Sequence, residues 1–232
     1  MAGGARSAGA AKPAPVRVVL DFLARNYRDA RVLLDHRSPF ELLVATVLAA
    51  QCTDERVNAV TPSLFRRYGG PEAFAAAPQA EMEQAVRPTG FFRNKAKAVR
   101  GLAAALVARH GGKVPQTMDE LTALPGVGRK TASIILGACF GCDALPVDTH
   151  VGRVAYRLGL TASKEPGRIE ADLARAIPEG KRWEFATRLG WHGRRICVAR
   201  RPRCPECGLA GVCPKVGVPP AGARPVRLSR RG

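Results

Sequence analysis

Long apolar runs are missing from this 232-residue chain. The longest, Leu42 to Ala50, is nine residues and already includes Thr46. A membrane-spanning helix needs about 20 apolar residues, so no membrane span is expected. Convincing period-two alternation is absent as well, which argues against strands and for an all-α fold. No segment recurs at an interval of about 20–50 residues, which excludes a solenoid. The N-terminal stretch MAGGARSAGAAKPAP lacks an apolar h-region, so a secretory leader is not expected. A cytoplasmic location follows, at the nucleoid if the source is bacterial. Cysteine is present at seven positions, an odd count. In a reducing compartment such thiols serve metal binding or burial sooner than disulfides. Acidic residues are scarce, 19 against 37 Lys and Arg, leaving a net charge of +18.

What remains is a globular composition, 46% apolar and 24% charged, which excludes wholesale disorder. The length allows one large domain or two small ones. A pI near 10.6 points to a polyanionic partner, most simply nucleic acid. Residues 1–15 and 216–232 read as flexible tails. They are rich in Ala, Gly and Pro, and the second carries Arg224, Arg227, Arg230 and Arg231 with no acid. Between the tails the pattern is helical. Ser38-Pro39 is an N-cap followed by proline at the first helical position. A helix is expected from Asp54 to Gly69-Gly70, and short ones near 71–76 and 78–86. Others are expected over 95–109, 117–124, 129–140, 149–158, 168–176 and 181–191.

The strongest local signal is Leu124-Pro-Gly-Val-Gly-Arg-Lys130. A short helix ends, a tight turn follows and a new helix begins at once. Gly126 and Gly128 permit unusual backbone angles and leave amide groups uncovered around Val127. At a helix N-terminus such amides favour an anion, and a DNA phosphate held there is gripped without sequence readout. Lys130 lies in the first turn, where the helix dipole and Arg129 disfavour a second positive charge. A neutral amine is a nucleophile suited to Schiff-base chemistry. A phosphate-contacting lysine fits the same segment equally well.

Eighteen residues on, Val147-Asp-Thr-His-Val-Gly-Arg153 places Asp148 where extended chain meets a helix. It reads as an N-cap or as a carboxylate aimed at the region of Lys130. His150 and Arg153, near the same helix start, are candidates to reach phosphate. Cys197, Cys204, Cys207 and Cys213 read C-x6-C-x2-C-x5-C within 17 residues. Four thiolates so spaced suit a tetrahedral zinc or an iron–sulfur cluster, and spacing alone does not choose. Cys52, Cys139 and Cys142 read as structural.

Taken together, LPGVGRKTA, VDTHVGR and the four-cysteine spacing resemble the endonuclease III branch of the helix–hairpin–helix DNA glycosylases. Leu48-Ala-Ala-Gln-Cys-Thr-Asp54 is similar to the family's LLSAQATD stretch, and Pro88 to Ala96 to its GLYNSKA loop. The resemblance covers about residues 16–215. It implies two α-helical domains flanking a DNA-binding cleft. One is a six-helix domain over 32–143 that contains the hairpin. The other, the cluster domain, combines residues 16–31 with 144–215. It implies a 4Fe-4S cluster on the four cysteines, double-stranded damaged DNA as partner, and a monomer. Lys130 matches the lysine that attacks C1′ of the damaged nucleotide. Asp148 matches the aspartate that assists base departure. Gln51 matches a residue that fills the vacated space, and Phe91 stands at the apolar wedge, where family members often have Leu. Related adenine glycosylases lack the lysine, so its presence implies a bifunctional glycosylase/AP lyase. Its expected substrates are oxidised pyrimidines such as thymine glycol, with strand cleavage by β-elimination. Two other classes share some of these features. A non-catalytic DNA-binding module would need neither Lys130 nor Asp148, and an electron-transfer protein would not need the hairpin.

Overall fold

The computed structural model describes residues 12–218, and the remainder of both expected tails lies outside the described residues. Eleven α-helices and two short 3-10 turns make up the described chain, with no strand. None of the helices is long and apolar enough to cross a membrane.

Local chemistry sets the helix starts. α2 (Pro39–Leu48) is capped by the Ser38 hydroxyl, which accepts from the Glu41 amide, with proline at the first helical position. Thr53 caps α3 (Asp54–Tyr68) in the same manner. α4 (Pro71–Ala76) and α5 (Gln79–Val86) pack on α6 (Phe92–His110), the longest helix. α7 (Met118–Thr122) leads into α8 (Arg129–Phe140). The segment 32–143 therefore holds seven α-helices rather than six, α4 and α7 being of six and five residues. Their inner faces meet in one core built around Leu43, Leu48, Phe74, Leu102, Leu106 and Ile135.

A second core gathers α1 (Val16–Asn26), α9 (Thr149–Arg157), α10 (Pro166–Ala176) and α11 (Arg182–Arg195). Val19, Leu23, Val154, Leu173, Phe185 and Leu189 are its buried residues. Ala14 belongs to this core, 2% exposed, and its amide donates to Leu158 O at 2.9 Å. The loose N-terminal segment expected over 1–15 is therefore anchored at this point. Val216 is likewise tied, its amide donating to Arg157 O at 3.1 Å, so the chain expected to be irregular from 216 begins seated against α9.

Several contacts lock the two cores together. Gly137 of α8 lies so close to Trp183 of α11 that a Cβ there would fall inside the indole. Asp143 accepts from the amides of Gly180 at 2.7 Å and Arg182 at 2.8 Å, fixing the start of α11. Arg129 of α8 pairs with Glu170 of α10 at 2.7 Å. These ties bring the N-terminal end of α8 and the α9–α10 pair to one junction.

Candidate active site and cluster loop

Of the two hairpin glycines only Gly126 takes the left-handed backbone expected of both; Gly128 is extended, with φ −97°. Gly126 has φ +77°, and a Cβ there would stand 3.0 Å from the Ala98 Cβ. It therefore serves both a left-handed backbone and a close approach to α6. Val127 is buried and anchors the turn from beneath. Gly128 is the N-cap of α8 and supplies no side-chain cap. The first amides of α8 are thus left to an outside acceptor.

Lys130 is exposed in the first turn of α8. Arg129 is not a bare neighbouring charge, because Glu170 bonds its guanidinium. The hydrogen bond and attraction of Glu170 raise the Arg129 pKa. What sets Lys130 apart is access and position at a helix N-terminus.

Asp148 is the helix cap that one reading of the sequence expected. It is the N-cap of α9, its Oδ1 accepting from His150 N at 2.8 Å and Val151 N at 2.7 Å. Its Oδ2 lies 3.8 Å from Arg194 Nη2, which is also 3.8 Å from Asp54 Oδ2. One oxygen is locked by the cap while the other faces a shared arginine. His150 is half-buried, and burial, with Arg194 and Arg153 acting in the same direction, holds its imidazole below the ordinary value.

Arg153 departs from expectation. Its donors turn inward, to Cys197 O at 3.1 Å, Gly193 O at 2.8 Å and the His150 ring at 3.2 Å. It ties α9 to α11 and the cluster loop and presents little to a phosphate. Gln51 and Phe91 are exposed, with left-handed φ of +52° and +47°. Side chains rarely adopt that region. Phe91 is 63% exposed, so it is not a core residue.

Cys197, Cys204, Cys207 and Cys213 line one small cavity of about 30 Å³, with Val154, Arg157, Leu158, His192 and Leu209 among its walls. Among the described residues, no three Cys, His, Asp or Glu side chains converge tightly enough to hold a single metal ion. Burial pushes up the thiols of Cys207 and Cys213. They become thiolates readily only beside a group that stabilises negative sulfur.

Two further residues serve this loop and carry no sequence flag. Arg157, 6% exposed, donates to Cys197 Sγ at 3.3 Å, Val198 O at 2.8 Å and Ala199 O at 2.7 Å. His192 is buried against Tyr27 OH at 2.8 Å, with Nε2 3.6 Å from Cys207 Sγ. Burial lowers its pKa to about 4. One arginine among so many, and one histidine in a helix, acquire meaning only from burial. Cys52, Cys139 and Cys142 sit partly buried against the first core.

A family model described as HhH-GPD superfamily base excision DNA repair protein matches residues 44–179. The chain belongs to that superfamily. Within it, the chain is similar to endonucleases III. It is 49% identical over 197 residues to the Synechocystis sp. protein, covering 84% of this chain and 90% of that one. The Bacillus subtilis protein is 42% identical over 200 residues, covering 85% and 91%. A solved endonuclease III trapped as a covalent intermediate with DNA matches with a TM-score of 0.83 at 43% identity. That match covers 86% of this chain and 94% of the other. A thermostable thymine-DNA glycosylase matches at 0.76 with 25% identity, over the same shares. The chain is a DNA glycosylase/AP lyase of base excision repair.

Proposed function

We propose that the chain excises oxidised pyrimidines, thymine glycol among them, from duplex DNA and cuts the strand through a Schiff base on Lys130. The observation that carries this reading is an exposed lysine in the first turn after the hairpin, in a chain that also holds a carboxylate whose orientation the α9 cap fixes. The uncapped start of α8, with Gly126, Val127 and Gly128, takes a backbone phosphate. The damaged nucleotide leaves the stack, since C1′ is out of reach within it. Phe91 and Gln51 enter the space it vacates.

Lys130 Nζ, as the free amine, then attacks C1′. The C1′–N bond breaks and its electron pair leaves with the base, which is protonated. Asp148 stabilises the positive charge that develops on the sugar. The sugar ring opens as the amine nitrogen forms the C1′ iminium. Loss of a C2′ proton expels the 3′ phosphate and nicks the strand.

The four cysteines fit a 4Fe-4S cluster. They line the walls of one small cavity, and four thiolates are the donor set such a cluster takes. Arg157 and the Lys215 amide, 3.4 Å from Cys213 Sγ, would donate to its thiolates. When bound, the cluster would pin the loop that displays Arg200, Arg201 and Arg203. The protein would act as a monomer in the compartment that holds the genome.

The test is incision of a duplex with one thymine glycol. The wild type is expected to release the base and leave a nick 3′ to the lesion. Lys130→Ala is expected to bind the duplex and leave it intact. Full incision by Lys130→Ala would remove the lysine from the mechanism.

A further inference from the structure

Lys95 is 5% exposed in the first turn of α6. Among the described residues no carboxylate lies within salt-bridge distance of it. A buried ammonium without a counter-charge is costly, and burial lowers its pKa. Its contacts show what it holds. The ammonium donates to Thr89 O at 2.7 Å, and the Lys95 amide donates to Phe91 O at 3.1 Å. One residue thus binds the carbonyls on both sides of Gly90-Phe91, where φ is +71° and +47° in succession. Thr89 is itself buried, its hydroxyl donating to Val86 O at 2.8 Å.

We infer that Lys95 is a positioning residue for base extrusion: by clamping the Thr89–Phe91 turn, it holds Phe91 in the left-handed conformation from which its ring enters the duplex. This rests on the proposed role of Phe91. A phenylalanine at positive φ is strained, and an unclamped turn would relax and swing the ring away. A methionine would fill the space of the lysine stem without the cost of a buried charge. If Lys95 served only to fill the core, Lys95→Met would therefore change nothing.

The experiment uses the full-length protein and a duplex with a tetrahydrofuran abasic analogue opposite 2-aminopurine. No bond is cut, so lesion preference and lysine chemistry do not enter. Insertion unstacks 2-aminopurine and raises its fluorescence. Loss of a charged hydrogen bond shifts the insertion equilibrium by about tenfold. Lys95→Met is expected to keep its thermal midpoint and its affinity for undamaged duplex while losing most of the rise, as Phe91→Ala does. A wild-type rise in folded Lys95→Met or Lys95→Leu, with Phe91→Ala dark, would overturn the inference alone. A full rise in Phe91→Ala would overturn the wedge role and the inference with it. Unfolding of both Lys95 variants would make the residue a determinant of the fold and overturn it too.

Discussion

Asp148 shows how one side chain does two things at once. Its Oδ1 closes the start of α9 through two amides, while its Oδ2 faces Arg194. Asparagine keeps a capping oxygen and loses the charge; alanine loses both. Asp148→Asn is therefore expected to slow base release by about 100-fold with little change in urea midpoint. Asp148→Ala is expected to be equally slow and about 1 kcal/mol less stable. Equal stability of the two variants would show the cap to be idle. Lys130 and Asp148 were legible in the sequence because each stands in a short motif with its own mechanical reason, a glycine turn in one case and an extended-to-helix junction in the other. Arg157, His192 and Lys95 were not legible, since each draws its role from burial against partners distant in the chain. Arg153 was misread for the same reason: its position at a helix start suggested phosphate, but its donors turn to Gly193 and Cys197.

Helices were readable where caps and breakers punctuate the pattern. Ser38-Pro39, Thr53 and Gly69 bound α2 and α3 at the expected places. The start of α6 at Phe92, three residues before the expected Lys95, escaped notice because a left-handed phenylalanine precedes it. No propensity rule anticipates that conformation in a bulky residue. The α8–α11 contact was equally invisible, although it sets how the two cores meet. Gly137 of α8 is matched to Trp183 of α11. Alanine would gain about 1 kcal/mol of helix propensity there. Overpacking against the indole would cost about 1–3 kcal/mol. Gly137→Ala is thus expected to lower unfolding free energy by up to about 2 kcal/mol, read from a urea titration. Unchanged or increased stability would mean that the indole swings clear without cost.

At the scale of the molecule, two helical cores meet where the hairpin end of α8, the cap of α9 and α10 come together. Arg129–Glu170 and the Arg194 bridge to Asp54 and Asp148 span that junction. The chain carries a net charge of +18, which suits a polyanion. The all-α class and the four-cysteine loop were evident from pattern and spacing. The joining of the cores was not, because it depends on tertiary contacts between residues that carry no motif. At that junction Lys130 is an exposed amine in the first turn of α8, offered for covalent chemistry. Borohydride trapping on a duplex carrying a single thymine glycol tests that most directly, since borohydride reduces a Schiff base to a permanent link. A protein–DNA adduct formed by the wild type and absent from Lys130→Ala is the predicted result. An adduct that survives Lys130→Ala, or wild-type incision with no adduct, would contradict it.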